Sequence, residues 1–285
     1  MQSSIALVTG ASSGIGQQTA LALQAHGFIV YAAARRPMPE LAQLGIHTLK
    51  LDLTDEASLQ AGVATILDEQ GRIDLLVNNA GYGSYGTIED VPLTEARRQF
   101  EVNVFGAMRL VQLVLPGMTD RRRGRIINVS SMGGRFSMAL GGWYHATKYA
   151  LEALSDALRQ EVRDFDIDVV VIEPGMIHTP WAKIAADHLR TASGLGKYAV
   201  ISQNFATALD FADQGFATDP AQIARVILHA ARCARPRTRY RKGLGALPGT
   251  TLLPRIPDRL TDAAIRFFLH HADDLMNLLA SKQNA

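Results

Sequence analysis

The chain has 285 residues, 47% hydrophobic and 20% charged, with a formal net charge of +2. That balance supports one large α/β domain or two small ones, and the mild charge argues against a nucleic-acid partner. Cys233 is the single cysteine, so no internal disulfide forms, and a buried small thiol in a reducing compartment is expected.

Ile5-Ala6-Leu7-Val8 predicts a buried strand. The turn Thr9-Gly10-Ala11-Ser12-Ser13-Gly14-Ile15-Gly16 follows, then a helix over Ile15 to His26 and a strand over Phe28 to Ala33. Strand, glycine turn, helix and strand within about 30 residues form a βαβ unit with a dinucleotide-binding look. Glycines let the backbone approach a pyrophosphate, and the helix N-terminus supplies amide donors. A plain glycine-rich turn is the alternative, and the strand–helix context weighs against it.

The second strand ends near Ala34, and Arg35-Arg36 follow with no Asp or Glu before Glu40. An acidic residue there would bind the ribose hydroxyls of NAD, whereas an arginine fork suits the 2′-phosphate of NADP. NADP (NADPH) is therefore expected over NAD, with solvated loop charges as the alternative.

The alternation continues with strands at Ile46 to Leu51 and Ile73 to Val77 and a helix over Asp55 to Gln70. A long helix over Leu93 to Met118 and a strand over Ile126 to Ser130 come next. Tyr144 to Arg163 reads as a helix, and Asp168 to Ile172 as a sixth strand. Such alternation predicts a parallel sheet with helices on both faces, and ligands gather outside its C-terminal strand ends. Tyr144 and Lys148 stand four apart and share a helix face, and Ser131 lies at a strand end. A phenol, an ammonium and a hydroxyl converging there suit proton transfer at an alcohol or carbonyl. The ammonium is expected to lower the phenol pKa. Tyr-x-x-x-Lys alone is equally an ordinary helix pair, and the glycine-rich N-terminus changes that weighting.

Residues 176–216 have mixed polarity, with Gly194 and Gly196 interrupting two short helices, and are well placed as a substrate lid. Met176, Ile177, Trp181, Ile184 and Leu189 would give the lid an apolar face; His178 beside it could contact substrate, but a solvated position at the surface is expected. Pro220 to Ala234 predicts a helix. Arg235 to Lys242 holds an uncertain edge strand, and Arg259 to Ala280 an amphipathic terminal helix. The basic runs Arg121 to Arg125 and Arg235 to Lys242 both follow helices, so solvated helix ends are expected. The eight histidines show no metal spacing, so no metal is expected. No signal peptide is read, and no apolar span approaches the roughly 20 residues of a membrane helix, so a cytoplasmic protein is expected.

Together these residues resemble the short-chain dehydrogenase/reductase family. The matches are Thr9-Gly10-x-x-x-Gly14-x-Gly16, Asp52, Asn78-Asn79-Ala80-Gly81, Asn103, Ser131, Tyr144-x-x-x-Lys148 and Pro174-Gly175. The resemblance implies a single α/β Rossmann domain with a doubly wound, seven-stranded parallel sheet, over residues 1–242, and a C-terminal helical extension over 243–285. It implies Tyr144 as catalytic acid/base, Lys148 as its modulator and ribose ligand, Ser131 as the residue that polarises the substrate oxygen, and Asn103 as holder of a relay water. Its cofactor site would comprise Gly10, Ser12, Ser13, Gly14, Ile15, Gly16, Arg35, Arg36, Asp52, Leu53, Asn79, Ala80, Gly81, Tyr144, Lys148, Pro174, Gly175, Ile177 and Thr179. Asp52 would contact adenine.

Finer features resemble a bacterial branch similar to 17β-hydroxysteroid and retinol dehydrogenases. Trp143, directly before Tyr144, could narrow the pocket. The expected activity is NADP(H)-dependent interconversion of an alcohol with a ketone or aldehyde on an apolar small molecule, in a homodimer or homotetramer. A non-catalytic NADP(H)-binding sensor is the rival, which does not need Ser131, Tyr144 and Lys148 together. A membrane-surface protein using Leu260, Ile265, Phe267, Phe268, Leu269, Leu275, Leu278 and Leu279 is a second, disfavoured by Asp273-Asp274.

Overall fold

Runs of aliphatic residues become the inner strands of one sheet, and the segments between them fold as helices against its two faces. The computed structural model describes residues 3–283, and their side chains except at 214, 215 and 273–283. In chain order the first elements are β1 (Ile5–Thr9), α1 (Gly14–Ala25), β2 (Ile29–Ala34), α2 (Pro39–Gln43), β3 (His47–Lys50), α3 (Glu56–Gln70) and β4 (Leu75–Asn78). Then come α4 (Leu93–Phe100), α5 (Gly106–Asp120), β5 (Gly124–Val129), α6 (Gly142–Glu161), β6 (Ile167–Pro174), α7 (Pro180–Ser193) and α8 (Ala199–Gly215). The chain closes with α9 (Pro220–Arg232), β7 (Arg239–Lys242), α10 (Ala246–Thr251) and α11 (Asp258–Gln283).

The seven strands are all parallel, in the order β3-β2-β1-β4-β5-β6-β7. The order reverses between β1 and β4, which opens a crevice at their C-terminal ends. Alternate residues of a strand face opposite sides. Leu7, Leu76 and Ile126 therefore pack with Leu110 and Met118 of α5, while Val8, Val77 and Ile127 pack with Leu23 of α1 and Ile227 of α9. A third cluster joins Leu189 of α7, Phe205 and Leu209 of α8, and Leu269 and Ala272 of α11 to Tyr85 and Tyr144.

Several expectations are revised. The helix read over Leu93 to Met118 is interrupted by a π-helical stretch, Glu101–Phe105. The two short helices of 176–216 are 14 and 17 residues long, because Gly194 and Gly196 fall between them rather than within them. Thr179 caps α7, with Pro180 in its first turn.

The uncertain strand exists as β7. Arg239 and Arg241 point to one side of it, and Tyr240 packs into the core on the other. This basic tract is therefore only in part a solvated helix end: Arg235 and Arg237 are exposed, whereas Arg241 Nε lies 2.8 Å from Oε2 of the fully buried Glu173, and Arg239 Nη2 lies 3.0 Å from Glu152 Oε2. Arg125 is likewise engaged, 2.5 Å from Asp168 and donating to the carbonyls of Ala230 and Ala231 at the end of α9. Cys233 is half-buried at the same end, not fully buried.

Leu93–Asp120 runs 28 residues with a mean hydropathy of 1.2 over its most apolar window, so one helix does pass the length and composition test for a membrane span. Its Leu110, Val111, Val114 and Met118 lie in the core. The α11 helix packs on α8, where Asn204 donates to the carbonyls of Leu269 and His270 at 3.0 and 3.1 Å. The side chains of Asp273, Asp274, Leu275, Leu278 and Leu279 lie outside the described residues.

Candidate active site

The crevice at the strand ends is a cavity of about 880 Å³ that continues from the glycine-rich turn to α8 and α11. At the β1 end its wall is backbone drawn tight. Gly10 has φ +66°, and a Cβ there would meet the Cα of Ala80 at 2.8 Å. A Cβ on Gly16 would lie 2.4 Å from the carbonyl oxygen of Gly10, so only glycine lets α1 start this close to the turn. The Asn79 amide fastens the turn from β4, donating to the carbonyls of Thr9 and Gly10. The Thr9 hydroxyl accepts from the backbone N–H groups of Asn79 and Ala80, 3.0 Å each. Thr179 closes over the turn, and its Cγ2 would be 2.9 Å from a Cβ on Gly14. These features fit a phosphate-bearing ligand: a narrow backbone cradle opening onto a helix N-terminus.

Arg35 and Arg36 both border the cavity from the end of β2, exposed at its rim. Arg36 donates to the Ser12 hydroxyl at 3.1 Å. Asp52 lines the same cavity, within reach of the Arg35 charge. Burial pushes its carboxyl up, but the Thr54 N–H and hydroxyl, with the charges of Arg35 and Arg98, hold it below the usual range. Of the expected cofactor residues, Ser12, Ser13, Gly14, Ile15, Leu53, Gly81, Pro174, Gly175 and Ile177 also line the cavity. Gly16 does not; it sits behind the wall against Gly10.

In the middle of the cavity Ser131, Tyr144 and Lys148 come together. Ser131 ends the loop after β5, where its Oγ accepts from the Gly133 N–H at 3.0 Å. Tyr144 and Lys148 are both 6% exposed on the first turns of α6. Burial pushes the Tyr144 phenol up to about 12, against a lowering hydrogen bond with Ser131. Burial pushes the Lys148 ammonium down to about 8, against the raising charge of Glu152 one turn farther along α6. Lys148 Nζ donates to the Val129 carbonyl at 3.0 Å and lies 5.9 Å from the centroid of the Tyr144 ring. The expected lowering of the phenol by this ammonium is thus not met in this arrangement, because burial dominates.

Asn103 stands behind this group and does not line the cavity. The π-helical stretch turns its amide toward the neighbouring loop. There Asn103 Nδ2 donates to the Tyr82 carbonyl at 2.9 Å and to Thr147 Oγ1 at 3.1 Å, and Oδ1 accepts from the Tyr82 N–H at 3.0 Å.

The other end of the cavity is apolar. Met176, Ile177, Trp181 and Ile184 line it as expected, whereas Leu189 is fully buried in the helical core. Trp143 is absent from the wall; Trp181 takes the place beside the phenol, with ring centroids 5.1 Å apart. His178 is exposed, its Nδ1 3.0 Å from Asp213 Oδ1.

Sequence reasoning missed Tyr85, His145, Phe205, Leu209 and Phe268, all in the wall. The alternation Gly81-Tyr82-Gly83-Ser84-Tyr85-Gly86 was a usable signal for Tyr85, since glycines there make room for rings. Phe205 and Phe268 carried no local signal. His145 is 3% exposed, with Nδ1 2.8 Å from the Gly133 carbonyl. Burial holds its pKa below the usual range, against the raising effect of the Gly133 and Phe136 carbonyls.

Comparison with known proteins finds a family model, short chain dehydrogenase, matching residues 4–189. The probable short-chain type dehydrogenase/reductase VdlC of Helicobacter pylori is 34% identical over 264 residues, 92% of this chain and 96% of that protein. A 3-ketodihydrosphingosine reductase of Bacteroides thetaiotaomicron is 42% identical over 179 residues, which is 63% of this chain and 66%, just under two thirds, of that protein. The crystal structure of a short-chain dehydrogenase from Streptomyces avermitilis matches with a TM-score of 0.73 at 30% identity, covering 97% of this chain and 98% of that one. Sequence and fold thus agree along nearly the whole chain, and it belongs to the short-chain dehydrogenase/reductase family, oxidoreductases whose fold binds a nicotinamide cofactor.

Proposed function

We propose that this protein is an NADP(H)-dependent oxidoreductase that interconverts an alcohol with a ketone or aldehyde on an apolar small molecule. The observation that carries the reading is the placement of Ser131, Tyr144 and Lys148 in one cavity, between a glycine cradle and an apolar chamber. A bound nicotinamide supplies or accepts the hydride. The chain's own part is positioning and proton transfer. Gly10, Gly14 and the amides opening α1 receive the pyrophosphate, Arg35 and Arg36 the 2′-phosphate, and Asp52 the adenine. Lys148 reaches the nicotinamide ribose. Tyr144, carrying its proton through the physiological range, gives it to the carbonyl oxygen in reduction, while Ser131 donates to the same oxygen. Lys148 and a water held at the backbone of Asn103, whose side chain is taken up by Tyr82 and Thr147, return the proton. A sensor would have no use for this trio.

Residues 176–216 form the lid, supported by Met176, Trp181 and Ile184 in the cavity wall. A ketone substrate accords with the name of the Bacteroides relative. A cytoplasmic homodimer or homotetramer is the assembly we propose; exposed Phe105, Tyr149 and Leu154 support an interface.

The test follows NADPH absorbance with a panel of apolar ketones and aldehydes. Wild-type enzyme is expected to prefer NADPH, and Arg35→Asp with Arg36→Ser to shift the NADPH:NADH ratio of kcat/KM by about ten- to a hundredfold. Tyr144→Phe should lower kcat by about a hundred- to ten-thousandfold while NADPH still binds. Equal use of both cofactors by the wild type would sink the phosphate role, and substantial turnover by Tyr144→Phe the proton-transfer scheme.

A further inference from the structure

Tyr85 stands in the cavity wall beside Tyr144, and the reduction scheme gives it no role. It is 5% exposed, with its ring centroid 5.6 Å from that of Tyr144, 5.7 Å from Trp181 and 5.9 Å from Phe205. Two glycines clamp the ring on both edges. A Cβ on Gly141 would lie 2.7 Å from Tyr85 Cε1, and a Cβ on Gly83 3.1 Å from Cε2. The Gly86 N–H fixes the loop behind it, donating to the Leu140 carbonyl at 2.8 Å. The hydroxyl between those two ring edges is therefore held in place.

That hydroxyl makes no hydrogen bond to any described residue, and it is not among the side-chain atoms sealed from the surface. Its neighbour Tyr82 differs, because its hydroxyl donates to Glu95 at 2.9 Å. A buried hydroxyl without a protein partner is costly unless something in the cavity supplies one. Burial, and then the repulsion that any ionised Tyr144 would exert, push its pKa well above the usual tyrosine value, so it stays a donor.

A substrate carbonyl oxygen has two lone-pair directions, which Tyr144 and Ser131 occupy in the reduction scheme. The Tyr85 hydroxyl is left for a different group. Around it the chamber offers Phe205 and Leu209, which carry no polar side-chain atom, and Trp181, whose single polar atom is an N–H donor. We infer that Tyr85 is a specificity-determining residue whose hydroxyl hydrogen-bonds a second polar group, a hydroxyl or amine within one or two carbons of the reacting carbonyl, on an otherwise apolar substrate. This rests on the carbonyl-reduction reading above. The two rings, with centroids 5.6 Å apart, are neighbours in one wall, which keeps the second polar group near the first.

The test uses a matched pair: an unbranched long-chain ketone, and the same ketone with a hydroxyl on the adjacent carbon. Wild-type enzyme should prefer the hydroxyketone in kcat/KM by on the order of three- to tenfold, and Tyr85→Phe should bring the ratio close to one. Calorimetric titration of both ketones into the NADPH complex of Tyr144→Phe, with and without Tyr85→Phe, should show the same change in the affinity ratio. A wild type without the preference, or a ratio untouched by Tyr85→Phe in both measurements, would overturn the assignment. If no carbonyl is turned over, carbonyl reduction fails, and the calorimetric ratio still decides Tyr85.

Discussion

Two titrating groups share the centre of the site, and burial moves them in opposite directions. Tyr144 goes up to about 12 and keeps its proton, while Lys148 comes down to about 8 and begins to lose its own. The charge that resists the second change is Glu152, itself 4% exposed and held by Arg239. The sign follows directly: as pH climbs through about 8 the ammonium neutralises, and removing the Glu152 carboxylate moves that loss to lower pH. For the free enzyme, kcat/KM for NADPH at saturating carbonyl is expected to fall through that range, and Glu152→Gln to displace the fall downward. A profile that is flat to pH 10, or one moved upward by Glu152→Gln, would contradict this account of Lys148.

At the scale of the element, β7 shows how a strand with three basic residues in four joins a parallel sheet. Its backbone pairs with β6 from Val171 to Pro174, and its arginines reach Glu173, which is fully buried where β6 delivers Pro174-Gly175 to the cavity. Removing one partner of a buried pair leaves the other charge uncompensated, at a cost of roughly 3–5 kcal/mol. Glu173→Ala should lower the urea-unfolding free energy toward the lower part of that span, because Arg239 and Arg241 retain some exposure. A change below about 1 kcal/mol, as for a surface pair, would mean that β7 is held by its backbone alone. The π-helical stretch has a comparable place in α4–α5: one wide turn aims Asn103 at the loop that carries Tyr82 and Tyr85.

For the molecule as a whole, the two ends of the cavity come from different parts of the chain. The cradle and the Ser131–Tyr144–Lys148 centre fall inside the stretch matched by the family model, residues 4–189. Phe205, Leu209 and Phe268 of the apolar chamber lie beyond it, on α8 and α11. Binding of the two ligands should therefore separate. Phe268→Ala removes part of the chamber wall without touching the cradle, and is expected to raise KM for an apolar ketone by about tenfold, the order set by losing a ring's apolar contact. The Kd of NADPH should stay within twofold. Parallel loss of both affinities would indicate that α11 supports the entire fold, not the chamber alone.

What the sequence determined by itself was everything with a local physical signature. The alternation of apolar strands and helices gave the parallel sheet, and the glycines of the Thr9–Gly16 turn gave the cradle, since a positive φ or a missing Cβ is a property of a single position. The four-residue spacing of Tyr144 and Lys148 put both on one helix face for the same reason. Only the tertiary structure decided what depends on distant neighbours. Arg239 and Arg241 became strand residues because buried carboxylates from α6 and β6 met them. The Tyr144 phenol was raised, not lowered, because the burial that packing imposes outweighed its hydrogen bond with Ser131, while the ammonium stands off, 5.9 Å from the ring centroid. The aromatic chamber exists because Tyr85, Trp181, Phe205 and Phe268, scattered along the chain, pack at one strand-end crevice. No periodicity records such a meeting, since it is set by how helices stack and not by any one helix.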